Sequence, residues 1–321
     1  MISRKKYDII LAISPKSLIS KVFNIKLGGV ELKWIDYSSP ETLAEALTLI
    51  NEHQKDAGIL AGGTDLIVKM RADRINPGQV IDIKSIPELN QININSNNDL
   101  TIGSAVPCYK IYNNTDIMNL RPELKDSASI IGGTQIQGRA SFGGNICNAA
   151  PSADSVPLLI SLNTTCNIQS TKGERTIPLQ DLFSGPGQTI LEPNELMVSI
   201  TIPNQSSLSG ANYIRFIPRN EMDIAVVGAG VSVTLSNDKK NFESVRVALA
   251  SVGPTPIFVE GINKEISGQE INDENIRAVS NMAKNASKPI SDMRGTVEFR
   301  QHLCEVLTRR ALITAIERAK E

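Results

Sequence analysis

Ser141-Phe142-Gly143-Gly144-Asn145-Ile146-Cys147-Asn148-Ala149-Ala150-Pro151-Ser152-Ala153-Asp154 constrains this chain more than any other stretch. Adjacent glycines let a backbone turn with positive φ and leave its N–H groups uncovered by any Cβ. Such a run of amides forms an anion-binding nest. Small residues follow, closed by Pro151, Ser152 and Asp154, which suits close approach to a sugar hydroxyl. Earlier in the chain, Ala61-Gly62-Gly63-Thr64-Asp65-Leu66 has the same character. Two separated glycine loops, each beside a hydroxyl or amide residue, are what a diphosphate needs. One such loop alone reads as an ordinary turn; the two together read as a site.

The order of elements around the first loop is that of a small α/β unit. Trp34-Ile35-Asp36-Tyr37 reads as a strand. Ser38, Ser39 and Pro40 supply an N-cap and a first-turn proline. Leu43, Ala46, Leu47 and Ile50 recur at helical spacing, and Ile59-Leu60 is a brief strand entering the glycines. Lys69, Arg71 and Arg74 follow, as a solvated basic face or as a contact with a nucleotide or partner. Val80 to Ile83 is a strand, Leu100 to Gly103 opens a second α/β unit, and Pro122 to Ile131 reads as a helix. Pro157 to Leu162 continues from the second loop as a helix or turn. Strands follow at Asn167 to Gln169 and Leu196 to Ile202, and residues 203–210 form a polar linker. Beyond it come strands at Tyr213 to Phe216, Ala225 to Leu235 and Ser244 to Ser251. Two helical patterns close the chain, one on Ile276, Val279 and Ala283, the other on Phe299, Leu303, Val306, Leu307 and Ala311. Strands first and helices last is an α+β order. Val227-Gly228-Ala229-Gly230 looks like half a dinucleotide fingerprint, but Val231 to Leu235 alternates as a strand where a helix should open.

Composition excludes several classes. Hydrophobic residues make up 41% and charged residues 21% of the 321, with a net charge of −1. These are the proportions of a globular domain with a sizeable core, without the basic footprint of a nucleic-acid binder. No apolar run reaches membrane-spanning length. The basic start at Arg4, Lys5 and Lys6 precedes too short an apolar stretch, broken by Asp8, to read as a signal peptide. Cys108, Cys147, Cys166 and Cys304 form no CxxC pair, and His53 and His302 stand apart. The cysteines thus suggest neither zinc nor an iron–sulfur cluster. They suggest no disulfide framework either, and a cytoplasmic location is the default.

Ala-Gly-Gly-Thr-Asp-Leu followed by Ser-Phe-Gly-Gly-Asn-Ile-(x)4-Pro-Ser-Ala-Asp resembles the FAD-binding subunit of the molybdenum hydroxylases, the xanthine dehydrogenase and carbon monoxide dehydrogenase relatives. The resemblance runs from about Leu32 to about Arg318. It implies an α+β protein: an extension at 1–30, a two-subdomain FAD-binding domain of p-cresol methylhydroxylase type at 31–205, and a smaller α+β domain at 211–318. Ser291 to Gly295, and Arg219-(x)2-Met222-Asp223-Ile224-Ala225, also match the family, the latter with no legible chemical role.

By matching position, the resemblance makes Ile59, Leu60, Ala61, Gly62, Gly63, Thr64, Asp65 and Leu66 the first FAD loop. Ser141, Phe142, Gly143, Gly144 and Asn145 become the second, with Asp154 a further contact. Ile131 and Met197 either touch the cofactor or simply fill core. Arg215 stands where some relatives have a lysine near the flavin, and is either that cation or a surface salt bridge. The flavin would carry the redox chemistry, so no acid–base residue is assigned. The implied partners are a molybdenum-cofactor large subunit and a two-iron two-sulfur small subunit. The acceptor stays open among NAD, quinone, oxygen and ferredoxin. Relatives acting on aromatic acyl-CoA esters carry an inserted cysteine cluster that is missing here. A stand-alone flavin oxidoreductase and a non-catalytic nucleotide-binding protein are the alternatives. FAD is expected to be non-covalent, since Cys147 alone in the two loops could form a link.

Overall fold

The computed structural model describes residues 26–27, 30–31, 35–220 and 222–321. Most of the 1–30 extension, and Trp34 of the first expected strand, lie outside the described residues. The described residues before Tyr37 belong to a unit separate from 37–321. There, β1 (Lys26–Leu27) and β2 (Val30–Glu31) form an antiparallel pair.

The chain then enters a three-stranded sheet. β3 spans Asp36–Ser38, α1 Leu43–His53, β4 Ala57–Leu60, α2 Leu66–Arg71 and β5 Gln79–Asp82, with strand order β3-β5-β4. β4 and β5 are parallel, joined through the first glycine loop and α2. The face of α1 is as its spacing predicts: Ala46, Leu47 and Ile50 are buried in a cluster with Ile81, Ile83 and Ile86. Its cap is not. Thr42, rather than Ser38 or Ser39, accepts the Glu45 N–H, and Glu45 reaches back to the Glu41 N–H. That exchange resembles a capping box and draws the helix start beyond Pro40.

The next region is built on one antiparallel sheet. It contains β6 (Ile92–Ile94), β7 (Leu100–Gly103), a run of short helices α3 (Cys108–Tyr112), α4 (Thr115–Leu120), α5 (Leu124–Ala128) and α6 (Thr134–Gln137), then α7 (Phe142–Cys147) and α8 (Val156–Ser161). β8 (Thr165–Ser170), β9 (Gly173–Pro178), the small β10 (Phe183–Gly185) and β11 (Gln188–Thr189) pair, and β12 (Leu196–Ile202) follow. The sheet order is β6-β7-β12-β8-β9. β7 therefore opens no second α/β unit. It pairs antiparallel with β6 and with β12, because the last strand of the region inserts between β7 and β8. The helix expected over 122–131 shrinks to α5, and the chain turns at Gly132, φ 61°.

The last region holds β13 (Ser209–Phe216), β14 (Val227–Leu235), β15 (Phe242–Ala250), β16 (Ile257–Phe258), α9 (Ile262–Ile266), α10 (Asp273–Ala286) and α11 (Val297–Lys320). Its four strands run in sequence order, antiparallel throughout. β14 is buried along nearly its whole length, and a Cβ at Gly230 would stand 2.3 Å from the Pro157 carbonyl carbon. The glycines of Val227-Gly228-Ala229-Gly230 thus belong to a central strand on which α8 of the preceding region rests.

Candidate functional site

The two glycine segments face each other across a cleft of about 320 Å³. The first contributes Ile59 and residues 61 to 66: Ala61, Gly62, Gly63, Thr64, Asp65 and Leu66. The second contributes Ser141, Gly143, Gly144 and Asn145, and Ile131 and Met197 complete the expected wall. Leu60 and Phe142 stand behind it. The Leu60 carbonyl accepts the Ile83 N–H at 3.0 Å, and Phe142 is 1% exposed in the core. Asp154 and Arg215 are absent from the wall and pair with each other instead. Sequence reasoning missed Ser104, Ile75, Ile83, Ala140, Cys147, Asn148 and Leu196, all in the wall. Lys69 lines it too, so its basic charge is not merely a solvated face.

Each glycine has a different reason to be glycine. Gly63 has φ 78°, and Gly62, Gly143 and Gly144 do not lie in the left-handed region. Positive φ at the second pair, expected from sequence, is therefore corrected: both residues are in α7. Ser141 caps that helix, its Oγ accepting the Gly144 N–H at 3.0 Å, which offsets the poor helix propensity of two glycines. Gly62 and Gly143 allow close approach. A Cβ on Gly62 would meet the Arg139 backbone oxygen at 2.7 Å, and one on Gly143 the Ser104 oxygen at 2.4 Å. Gly144 faces open space, with Ser141 Oγ at 3.2 Å and Ala61 Cβ at 3.9 Å as its nearest prospective neighbours. A side chain there would enter the cleft.

The donor set suits a phosphorylated, hydroxyl-rich ligand. Among the described residues no acceptor takes the backbone N–H of Gly62, Gly63 or Thr64, and these amides edge the cleft. Ser104 Oγ is buried in the wall without a hydrogen-bond partner, a costly state that a ligand oxygen would relieve. Lys69 Nζ donates to Asn148 Oδ1, setting a cation in the wall. Asn145 Oδ1 accepts from Ser155 Oγ at 2.6 Å and Ser155 N at 3.2 Å, which leaves its NH₂ free to donate. Cys147 is open to the cleft, yet protein surrounds it closely enough that burial pushes its thiol up to about 12; it is no ready nucleophile. Free amides, an orphaned hydroxyl, a cation and the open face of Gly144 together fit the diphosphate and hydroxyls of a dinucleotide.

A second cavity, of about 470 Å³, lies where Pro151 and Ser152 meet Ile224, Ala225, Arg294 and Arg300 of the last region. Ser251, a non-glycine residue held at a positive φ of 66°, lines it. The segment 147–152 walls both cavities.

The family model for the FAD binding domain in molybdopterin dehydrogenase matches residues 31–205, and that for the CO dehydrogenase flavoprotein C-terminal domain matches 212–315. The xanthine dehydrogenase FAD-binding subunit of Escherichia coli O157:H7 is 31% identical over 284 residues, 88% of this chain and 96% of the relative. The carbon monoxide dehydrogenase medium chain of Hydrogenophaga pseudoflava is 29% identical over 280 residues, 87% and 96% of the two chains. Among solved structures, a chain of the reconstituted CO dehydrogenase from Oligotropha carboxidovorans superposes with a TM-score of 0.85 at 28% identity, covering 89% of this chain and 99% of that one. With the two glycine loops at one cleft, these likenesses place the chain among the FAD-binding subunits of the molybdenum hydroxylase family, with FAD as its cofactor.

Proposed function

We propose that this chain carries electrons from an iron–sulfur subunit, through FAD, to an external acceptor in a cytoplasmic complex whose molybdenum-cofactor subunit oxidises the substrate. The observation that carries the reading is the meeting of the two glycine segments at one cleft, with free amides from one and the capped N-terminus of α7 from the other. The relatives named for xanthine and carbon monoxide dehydrogenases support the division of labour.

Bound FAD supplies the redox chemistry; the chain's residues bind and orient it. The amides of Gly62, Gly63 and Thr64 would donate to the diphosphate, with the Lys69 ammonium in the same wall adding charge. Ser104 Oγ and the Asn145 carboxamide would donate to further ligand oxygens. Ile59, Ala61, Asp65, Leu66, Ile131, Ser141, Gly143, Gly144 and Met197 shape the surface the cofactor lies on, and Leu60 and Phe142 support it from behind. Asp154 and Arg215, as a neutralised pair, hold the segment that follows α7 against the last region rather than binding the cofactor directly.

Expression with and without the neighbouring genes tests this. Alone, the chain should carry FAD but no stoichiometric iron or molybdenum, and should bleach with a chemical reductant only. Co-expressed, it should join a complex in which substrate bleaches the flavin. Turnover of an organic substrate by the isolated chain would overturn the reading.

A further inference from the structure

Lys84 stands directly behind the cleft, next to Ile83, which lines it. Its backbone N–H donates to Asp82 Oδ1 at 2.9 Å, and its carbonyl accepts from Asn90 Nδ2 at 2.7 Å, so the base of the side chain is fixed. The ammonium donates to the Ala105 carbonyl at 2.6 Å and to the Arg139 carbonyl at 2.8 Å. Those carbonyls belong to the two segments that the glycines touch. Ala105 follows Ser104, whose oxygen lies against Gly143, and the Arg139 oxygen lies against Gly62. Arg139 closes the circuit, its guanidinium donating to the Gly62 carbonyl at 3.2 Å and the Ala61 carbonyl at 3.5 Å.

We propose that Lys84 is a positioning residue for the cofactor: its ammonium clamps the Ala105 and Arg139 segments together, so that the two glycine loops keep the separation a diphosphate requires. The proposal rests on the reading that this cleft holds FAD. A charged donor holds a carbonyl about twice as strongly as a neutral one, so the clamp weakens when the amine loses its proton.

The surroundings bring that loss near neutral pH. Burial is the main cause, and the charges of Arg139 and Lys110 add to it; the Asp82 carboxylate opposes it, and the result is a pKa lowered to about 8. The Cys108 thiol is itself pushed up to about 12 by burial, so it stays neutral across the range. Lys84 is charged below pH 8 and neutral above it, and FAD should bind more weakly on the alkaline side.

The test is FAD titration of the full-length apoprotein at pH 7 and pH 9, on the parent, Lys84→Met and Gly144→Val, with thermal unfolding of each apo form. In the parent, Kd should rise about 3- to 10-fold between the two pH values. Lys84→Met should bind about 10-fold more weakly than the parent at pH 7 and show no step to pH 9. A variant that matches the parent at pH 7, or keeps the same step, overturns the proposal. Where Lys84→Met does not fold, the parent's titration decides alone, since a flat parent overturns it too. Gly144→Val separates the two readings. If it binds FAD like the parent, the cleft assignment fails; if it loses FAD while Lys84→Met keeps it, only the role of Lys84 fails.

Discussion

Arg215 and Asp154, 61 residues apart, form a buried ion pair between β13 and the segment that follows α7. Their side chains are 8% and 11% exposed, and the Tyr213 hydroxyl donates to the other carboxylate oxygen at 2.8 Å. The pair crosses from the glycine-loop region to the last region. Burial raises Asp154 to about 6, although Arg215 and Tyr213 act in the opposite direction, so desolvation outweighs the ion pair. Tyr213 is pushed well above its usual value by the same burial and by Asp154.

Removing Arg215 should be costly, because it leaves a carboxylate buried and unpaired. Arg215→Met should destabilise the chain by about 3–5 kcal/mol, and Arg215→Lys by less, since it keeps the charge and loses only the geometry. Urea unfolding of the two variants measures the difference; equal losses would mean that charge is not what the pair contributes.

The same group predicts a pH dependence. The folded chain holds the Asp154 proton up to about pH 6, above the ordinary carboxyl value of 3.8. The unfolded chain releases it earlier, so stability from this group is full below about 3.8 and is lost as pH rises to about 6. Asp154→Asn removes the titration. The stability difference between parent and Asp154→Asn should therefore change between pH 4 and 6 and stay level above 7.

The neighbouring glycines of α7 should respond in opposite ways. Gly144→Val places a side chain in the cleft, where only Ser141 Oγ and Ala61 are near. Its fold should survive, while FAD affinity falls on the order of 100-fold for a clash near 3 kcal/mol. Gly143→Ala meets the Ser104 backbone at 2.4 Å and should lose about 1–3 kcal/mol of stability as strain. Thermal unfolding with FAD titration of both variants checks the contrast.

Lys69→Met should weaken FAD about 5- to 10-fold at low salt, the worth of about 1 kcal/mol or slightly more for one charge-assisted contact. Stability should barely change, as the Lys69 ammonium bonds only Asn148 among the described residues. An affinity loss that persists unchanged at high salt would argue against a charge contact.

Acid precipitation should release all flavin into the supernatant. Cys147 is the candidate for a covalent link within the loops, and its raised thiol is a poor nucleophile at neutral pH. Colour left in the pellet would show a bond that this environment does not favour.

Local patterns in the sequence determined much of the fold. The face of α1 and the extended state of β12 and β14 follow from local apolar patterns, while only the tertiary structure buries β14 on both faces. The glycine loops were legible for a related reason: Gly63 needs φ 78°, a demand visible as a residue type. The helical state of Gly143 and Gly144 was not, since glycine argues against a helix and the cap from Ser141 operates only once the turn has formed. Tertiary structure decided the rest. β12 enters between β7 and β8, as its pairings with Ile102 and Cys166 show, and that choice sets where Met197 meets the cleft. The partnership of Asp154 with Arg215, the place of Ser104 in the wall and the reach of Lys84 to Arg139 join residues far apart in the chain. No local propensity encodes such contacts; they exist because separate segments bury polar groups together, and a buried donor or charge must find its partner wherever the fold brings one.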